Sequence, residues 1–464
     1  MTSTAEPTLA SLRAQLTGSL LTLGDAGYDV ARSVWNGEID RRPAVVVQPA
    51  GPGDVAAALA YAREAALDVS VRGGGHNFGG AAVVDGGVCI DLSSLRAISV
   101  DPENRTARVG GGATWAQLDA ATQEHALAVP GGTVSHTGVG GLTLGGGFGW
   151  LTGKHGLSCD NLLSAEVVTA DGQILRASAD EHPDLFWALR GGGGNFGVVT
   201  EFEFRLHPVG PIVHLGLFFW GLDDGAAALR QARDVLETLP PEMGVLVAGL
   251  NAPPAPFVPE EHHFRPGYAL LIAGFEGEDQ HAEAIRGARS GTAPLFEFVS
   301  PIPYVELQRM IDDAAPWGIL GYEKAAFVDG LTDAVIDVIT DFLPRKASPL
   351  SIMPIFSMHG AFAAADDAAT AFGGARRKSL AVNIAALAPE AGPFAADRSW
   401  VRGFWAALVP HASNSAGYVN FMAEYDEDRV RTSYGEKYER LARIKAQYDP
   451  RNVFHHNANI PPAG

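Results

Sequence analysis

An α+β fold in two unlike parts is predicted by this sequence, and three observations carry the prediction. Glycine crowds the first half of the chain: of 464 residues 55 are glycine, roughly 12% against about 7% in ordinary proteins. After about residue 210 those clusters stop, and longer apolar strands alternate with amphipathic helices. The last stretch turns helical again and closes in a polar coil, RNVFHHNANIPP. A chain of this length has room for two to four domains.

In chain order, residues 1–40 read as a short helical lead-in. RPAVVVQPAGPGDVAAALAYAREAALDVSVRGGG reads strand, turn, helix, strand, with Asp54 as the expected N-cap. Val88 to Gly112 alternates apolar and polar residues around a DPEN turn, the pattern of strands. TWAQLDAATQEHAL has helical spacing with Thr114 placed to cap it, and SAEVVTADGQILRAS is a hairpin about Asp171-Gly172. A short helix from Pro183 precedes the strand GVVTEFEFRLHPV. Beyond it, DGAAALRQARDVLETL and LTDAVIDVITDFL are expected helices, SPLSIMPIFSMHGAF and SLAVNIAALAP expected strands. The Pro-rich stretch from Asn251 is a loop, and DRVRTSYGEKYERLARIKAQYD is expected as one helix stopped by Pro450. Strands in the second part suggest an antiparallel sheet with helices on one face.

Composition narrows the function. The formal net charge is −19 with no basic block, which argues against nucleic acid or an anionic membrane surface as partner. No apolar run approaches the ~18 residues a bilayer span requires. The N-terminus lacks a basic stretch followed by a continuous apolar one. Two cysteines, Cys89 and Cys159, make neither a disulfide framework nor a cysteine-rich metal site. A soluble, cytoplasmic chain without a bound metal is expected.

Four glycine clusters fall within 130 residues of one another: RGGGHN from Arg72, GGG from Gly110, GGTVSHTGVGGLTLGGGFGW from Gly131, and RGGGGNFG from Arg190. Glycine lets backbone amides approach a phosphate or ring with no Cβ between. Any one cluster could equally be a tight turn in a β-rich domain; four together point to a large cofactor wrapped by loops. Gly192, Gly194 and Gly197 fit G-x-G-x-x-G, but a helix precedes them and a strand pattern follows. That is the wrong context for a dinucleotide-binding βαβ unit. No P-loop is present.

The segments VRGGGHNFGG, GGG at 110–112, GGTVSHTGVGGLTLGGGFGWLTGKHGLSCDN, PDLFWALRGGGGNFGVVTEF, YVNF and YGEKYERLARIKAQYDPRNVFHHNANI together resemble the berberine-bridge-enzyme-like FAD-linked oxidases of the vanillyl-alcohol-oxidase (PCMH-type FAD-binding) superfamily. The spacing is similar to its bacterial branch of 6-hydroxynicotine oxidases and antibiotic-pathway oxidoreductases. The resemblance implies a PCMH-type FAD-binding domain over 1–210, a substrate domain over 211–414, and a segment over 415–464 returning to the first. It also implies FAD joined covalently at His76. A second, cysteinyl link found in many members would fall at Val134, which cannot form it, so attachment at His76 alone is expected. Cys159 reads as a small packed residue and Cys89 as a buried strand residue.

Further implied contacts to FAD are Arg72, Gly73, Gly74, Gly75, Asn77, Gly131, Gly132, Thr133, Thr137, Gly138, Gly141 and Gly146, then Asn161, Gly197, Val198 and Val199, and from the tail Tyr418, Asn420, Asn457 and Asn459. Thr137 falls where relatives control oxygen access, and its size favours an oxidase. His136 beside it is a loop histidine or faces the substrate. The implied chemistry takes a hydride from an alcohol or amine carbon of a small organic substrate to flavin N5, with O2 returned as H2O2. A flavin dehydrogenase using another acceptor, and a flavin-binding protein without turnover, stay open beside it.

The proton acceptor is not placed by the resemblance. Berberine-bridge-type members use a glutamate at a position that aligning MHGAFAA assigns to Ala364. By residue type the candidates are Tyr322, Lys324, His359, Tyr418 and Tyr304; a tyrosine or lysine serves only where neighbours lower its pKa. A neutral amine substrate would need no base. Trp317, Phe356, Met358 and Phe327 either line an apolar pocket or belong to the core.

Overall fold

The computed structural model describes residues 8–413 and 417–464. The boundary expected at 414/415 lies outside the described residues, as does the start of the lead-in. What remains of that lead-in is a helix (Leu9–Gln15), a short strand and a helix (Tyr28–Arg32). The strand, β1 (Ser19–Leu21), was not expected. It pairs antiparallel with β2 (Val45–Gln48), which runs parallel to β4 (Val88–Asp91), itself parallel to β3 (Val69–Arg72). The four form a sheet in the order β1-β2-β4-β3.

Helix Pro52–Glu64 crosses over between β2 and β3. Its N-cap is Gly51, not Asp54. Asp54 sits in the first turn and reaches back, accepting hydrogen bonds from the amides of Ala50, Thr17 and Gly18 at 2.8–2.9 Å. These amides hold its carboxyl below the usual range against the opposing effect of burial.

An antiparallel sheet follows. β5 (Ile98–Asp101) and β6 (Thr106–Gly110) enclose the predicted turn. β7 (Leu127–Ala128) is a two-residue strand, β8 (Leu162–Val168) and β9 (Ile174–Ser178) make the predicted hairpin, and β10 (Val198–Arg205) lies between β6 and β8. Helix Trp115–Gln123 begins where expected, the Gln117 side chain accepting from the Thr114 amide. β11 (His207–Pro208) pairs back with β7.

The rest of the chain up to residue 413 builds a seven-stranded antiparallel sheet: β12 (Ile212–Gly221), β13 (Gly244–Asn251), β14 (Pro266–Gly274), β15 (Phe296–Pro303), β16 (Leu320–Val328), β17 (Met353–Met358) and β18 (Ser379–Ala388), ordered β15-β12-β14-β13-β17-β18-β16. Strand residues alternate between its faces. Phe218, Leu270, Val247, Ile355 and Val382 point to helices Gly225–Thr238, Glu278–Ala288, Asp333–Phe342 and Ala391–Leu408, which cover one face. Leu217, Leu246, Leu271 and Phe356 point the other way, toward the glycine-rich half. The predicted layer of helices on one face is therefore present. Among the described residues no helix is both long and apolar enough to cross a membrane.

The tail differs from the single helix expected. Gly435, at φ +52°, breaks it into Glu427–Tyr434 and Tyr438–Tyr448. Val430, Tyr438, Leu441, Ile444 and Ile460 bury against Trp187, Phe196 and Phe202 of the first half. Lys445 is fully buried and donates to the carbonyls of Asn195 and Phe454 and to Asp449 at 2.7–2.9 Å.

Candidate functional site

Between the glycine-rich half and the bare face of the seven-stranded sheet lies one continuous cavity of about 850 Å³. Its first wall is the loop that leaves β3. Arg72, at the end of the strand, does not reach the cavity: its guanidinium pairs with Asp91 at 2.7 Å and donates to the Ser33 carbonyl at 3.1 Å. These contacts anchor the loop and keep the Arg72 side chain away from the cavity. Gly73 through Asn77 then line the cavity. Gly74 lies so close to Gly138 that a Cβ on either would stand 2.2–2.3 Å from the other's amide nitrogen. Only two glycines permit this crossing of loops, since no side-chain rotation could relieve a clash between backbones.

His76 faces the cavity between Trp35, stacked at 5.3 Å, and Trp317, edge-on at 5.7 Å. Its Nε2 lies 2.7 Å from Nδ1 of His136. The contact occupies Nε2 of His76 and leaves Nδ1 as the ring nitrogen open to a ligand. Burial, then the nearby His136, hold the His76 imidazole neutral, with a pKa of about 3.

Of the other residues expected to touch a cofactor, Gly132, Thr133, Thr137, Gly138, Gly141, Gly197, Val198, Val199, Tyr418, Asn420 and Asn457 line the cavity, as does Val134. Asn77 donates to the Tyr425 hydroxyl at 2.5 Å, and Tyr418 accepts from the Gly147 amide and from Asn420, each at 2.9 Å. Gly131, Gly146, Asn161 and Asn459 stand behind this lining. Gly131 packs on the Trp115 ring and Gly146, at φ +127°, on Phe372. Asn161 is a turn residue: its amide donates to the His155 and Leu157 carbonyls, and its oxygen lies 2.6 Å from His207 Nε2. Asn459 is half-buried, and its buried Oδ1 has no partner. Cys89 and Cys159 are buried free thiols, both pushed up by burial, Cys89 to about 12.

The candidate bases require correction. Tyr322 and Lys324 alternate to the helix-covered face of β16, where both meet Glu424, Tyr322 also accepts from Arg402, and the Lys324 ammonium lies over the Trp405 ring. His359 ends β17 against Gly153, bonded through Nδ1 to the Ser357 carbonyl. Tyr304 is buried beside Asp119, with its pKa raised by burial. None of the four lines the cavity. Tyr418 does, but its oxygen already accepts two hydrogen bonds and burial raises its pKa. Phe356 lines the cavity, Met358 and Phe327 pack beneath that wall, and Trp317 is half exposed at the edge.

The residue that residue-type reasoning passed over stands between Tyr322 and Lys324. Glu323 points to the cavity, fully buried, and accepts from Asn383 Nδ2 of β18 at 2.9 Å. Burial pushes its carboxyl up to about 8 against the opposing effects of Asn383 and Arg429. A period-two reading of LGYEKAAFV would have placed Glu323 on the face opposite Tyr322.

The cavity fits FAD on its own terms. A Cβ at Gly141 would project into open space, and the buried Asn457 Oδ1 and Ser70 Oγ on its walls have no protein partner. Gly138→Ala tests the cradle. Separating the crossed loops costs roughly 1–3 kcal/mol, about tenfold in flavin affinity for each 1.4 kcal/mol. A lower ratio of 450 nm to 280 nm absorbance in purified protein is the expected result.

Comparison with known proteins bears on this site. Residues 43–178 match the family described as FAD binding domain, and residues 417–461 the family described as berberine and berberine-like. An FAD-linked oxidoreductase of Dictyostelium discoideum is 30% identical over 433 residues, 92% of this chain and 91% of that protein. An (R)-6-hydroxynicotine oxidase of Paenarthrobacter nicotinovorans is 30% identical over 462 residues, 96% and 97% of the two. The crystal structure of 6-hydroxy-D-nicotine oxidase from Arthrobacter nicotinovorans superposes with a TM-score of 0.87 at 28% identity, covering 97% of this chain and 98% of the other. A BBE-like protein of Physcomitrella patens, 21% identical with a TM-score of 0.88 over 98% and 100% of the chains, shares the fold.

Proposed function

The chain belongs to the berberine-bridge-enzyme-like FAD-linked oxidoreductases, and from that premise we propose that it is an oxidase of a small organic alcohol or amine, carrying FAD bonded at His76 alone. The observation that supports this most is the single cavity joining the His76 loop to Glu323 on the substrate sheet. The first 210 residues and the tail from about 415 would form the FAD-binding part, and 211–414 the substrate part.

Gly73 to Asn77, Gly138 to Gly141, Gly193 to Asn195, Val198, Val199 and Asn457 would hold the cofactor, and His76 Nδ1 would bond it. FAD bound there supplies an acceptor for a hydride from the substrate carbon and passes the electrons to dioxygen, giving hydrogen peroxide. Val134 offers no thiol for a second link. The sheet face excludes water and orients the substrate carbon toward the cofactor side. Tyr418 and Asn420 brace the Gly147 and Leu142 backbone that floors the cavity.

Peroxide formed in step with substrate consumption tests the oxidase reading; bleaching that persists in air without peroxide would instead indicate another acceptor. Thr137 lines the cavity next to the loop crossing. Thr137→Leu is expected to slow reoxidation by oxygen about tenfold or more, roughly 1.4 kcal/mol in the barrier, with reduction by substrate less affected. Stopped-flow mixing of reduced protein with oxygen measures it.

A further inference from the structure

We infer that the site takes a largely apolar, ring-bearing alcohol whose hydroxyl sits against Glu323 and Asn383, and that it does not take oligosaccharides. The inference rests on the reading of the protein as an FAD oxidase. The reason for it is the wall that the seven-stranded sheet gives the cavity. Leu217, Leu246, Phe298, Pro354, Phe356 and Leu387 are typical of that wall. The polar side chains this sheet adds are Glu323, Asn383 and Asn251. Asn251 is already engaged, donating to the Phe264 carbonyl at 2.7 Å and accepting from Lys346.

Glu323 and Asn383 are different. One hydrogen bond joins them, and it leaves Glu323 Oε1 and Asn383 Oδ1 buried with no partner. With the carboxylate ionised these are two unmet acceptors side by side, which a donor from the ligand satisfies. A buried polar group left unpaired costs roughly 1–3 kcal/mol, so a molecule with one hydroxyl suits this wall. A disaccharide carries a hydroxyl on most of its carbons and would leave most of them without partners among leucine and phenylalanine.

The alcohol O–H bond breaks with its proton passing to the Glu323 carboxylate. The C–H bond breaks with its electron pair and hydrogen passing to the oxidised flavin, and a C=O bond forms. Oxygen is the terminal oxidant, and the carboxyl proton returns to solvent. The groups facing Glu323 are Asn383 from β18, Tyr418 and Tyr425 from the tail, and Arg429 from helix Glu427–Tyr434. The carboxylate form grows as pH rises through about 8, so turnover rises with pH and levels off above it.

The test uses the holoenzyme with 1-(2-naphthyl)ethanol and cellobiose as probes. Anaerobic calorimetry is expected to show binding of the naphthyl alcohol and none of cellobiose. Anaerobic bleaching by the alcohol is expected to rise about tenfold per pH unit below the carboxyl's pKa. Glu323→Gln, which keeps the shape, is expected to lower the bleaching rate by about 10²–10⁴-fold and flatten the profile, with binding retained. An infrared difference between about pH 6 and about pH 9 should lose one carboxyl band in that variant. Separately, dithionite-reduced holoenzyme exposed to air should yield peroxide with no substrate present. Absence of that peroxide overturns the oxidase reading and this inference with it. Peroxide there, together with cellobiose binding, a naphthyl alcohol that does not bind, or a Glu323→Gln rate equal to the parent's, overturns this inference alone.

Discussion

His76→Ala protein precipitated with acid is expected to leave all of its flavin in the supernatant, and the parent chain to keep its flavin in the pellet. The expected loss is complete because attachment is proposed at His76 alone. The contact with His136 engages Nε2 and leaves Nδ1 as the nitrogen open to the flavin. The ring is neutral at any ordinary pH, being held near 3 by burial and by the second histidine. A protonated imidazole would have no lone pair to give. Both cysteines are buried, with their thiols pushed up by burial, and neither lines the cavity, so neither substitutes for it. The glycine cradle is untouched, so the variant still binds FAD reversibly and its thermal stability becomes dependent on added FAD, as mass action requires. His136→Ala is expected to give slower and incomplete attachment, because the His76 tautomer is then no longer set. Flavin retained in the pellet of the His76 variant would refute the linkage.

How much of this was legible in the sequence depends on what kind of force places each residue. His76 and the crossing of Gly74 with Gly138 are local: a backbone that must approach another backbone demands glycine, and the clusters announce it. The hairpin at Asp171-Gly172 and the helix from Thr114 are equally local, each carried by its turn or cap. Residue type alone does not reveal which side chain of β16 faces the cavity; strand parity does. Tyr322 and Lys324 share one face of β16 and Glu323 the other, and the alternation is set by which face the helices cover. A signal was there: Asn383 interrupts an otherwise apolar run in β18, and a polar residue in such a run asks for a partner across the sheet. The Arg72 side chain stays out of the cavity because Asp91, adjacent in parallel register, takes its charge. Strand β1 was missed because three residues give too short a pattern to read.

The helix Tyr438–Tyr448 hides the second large effect, since YERLARIKAQY looks like an ordinary solvated face. Lys445→Met is expected to destabilise the protein by roughly 3–5 kcal/mol, the usual consequence of removing one member of a buried ion pair. Methionine can fill the volume of the lysine stem, so lost packing is a small part of the effect. The larger part is polar. Asp449 keeps the amides of Val453 and Phe454 but loses its buried countercharge, and the carbonyls of Asn195 and Phe454 lose their donor. Asn195 belongs to the Gly193–Asn195 stretch that lines the cavity, and Phe454 lines it too. The ammonium thus ties the tail to the cofactor-binding loops from inside. Flavin fluorescence should therefore rise at a lower urea concentration in the variant, together with or ahead of the loss of far-ultraviolet circular dichroism. Lys445→Arg, which keeps the charge but not the fit of a compact ammonium among three acceptors, should lie between the two. If Lys445→Met unfolded with the parent's midpoint, the buried ammonium would not be what holds the tail in place.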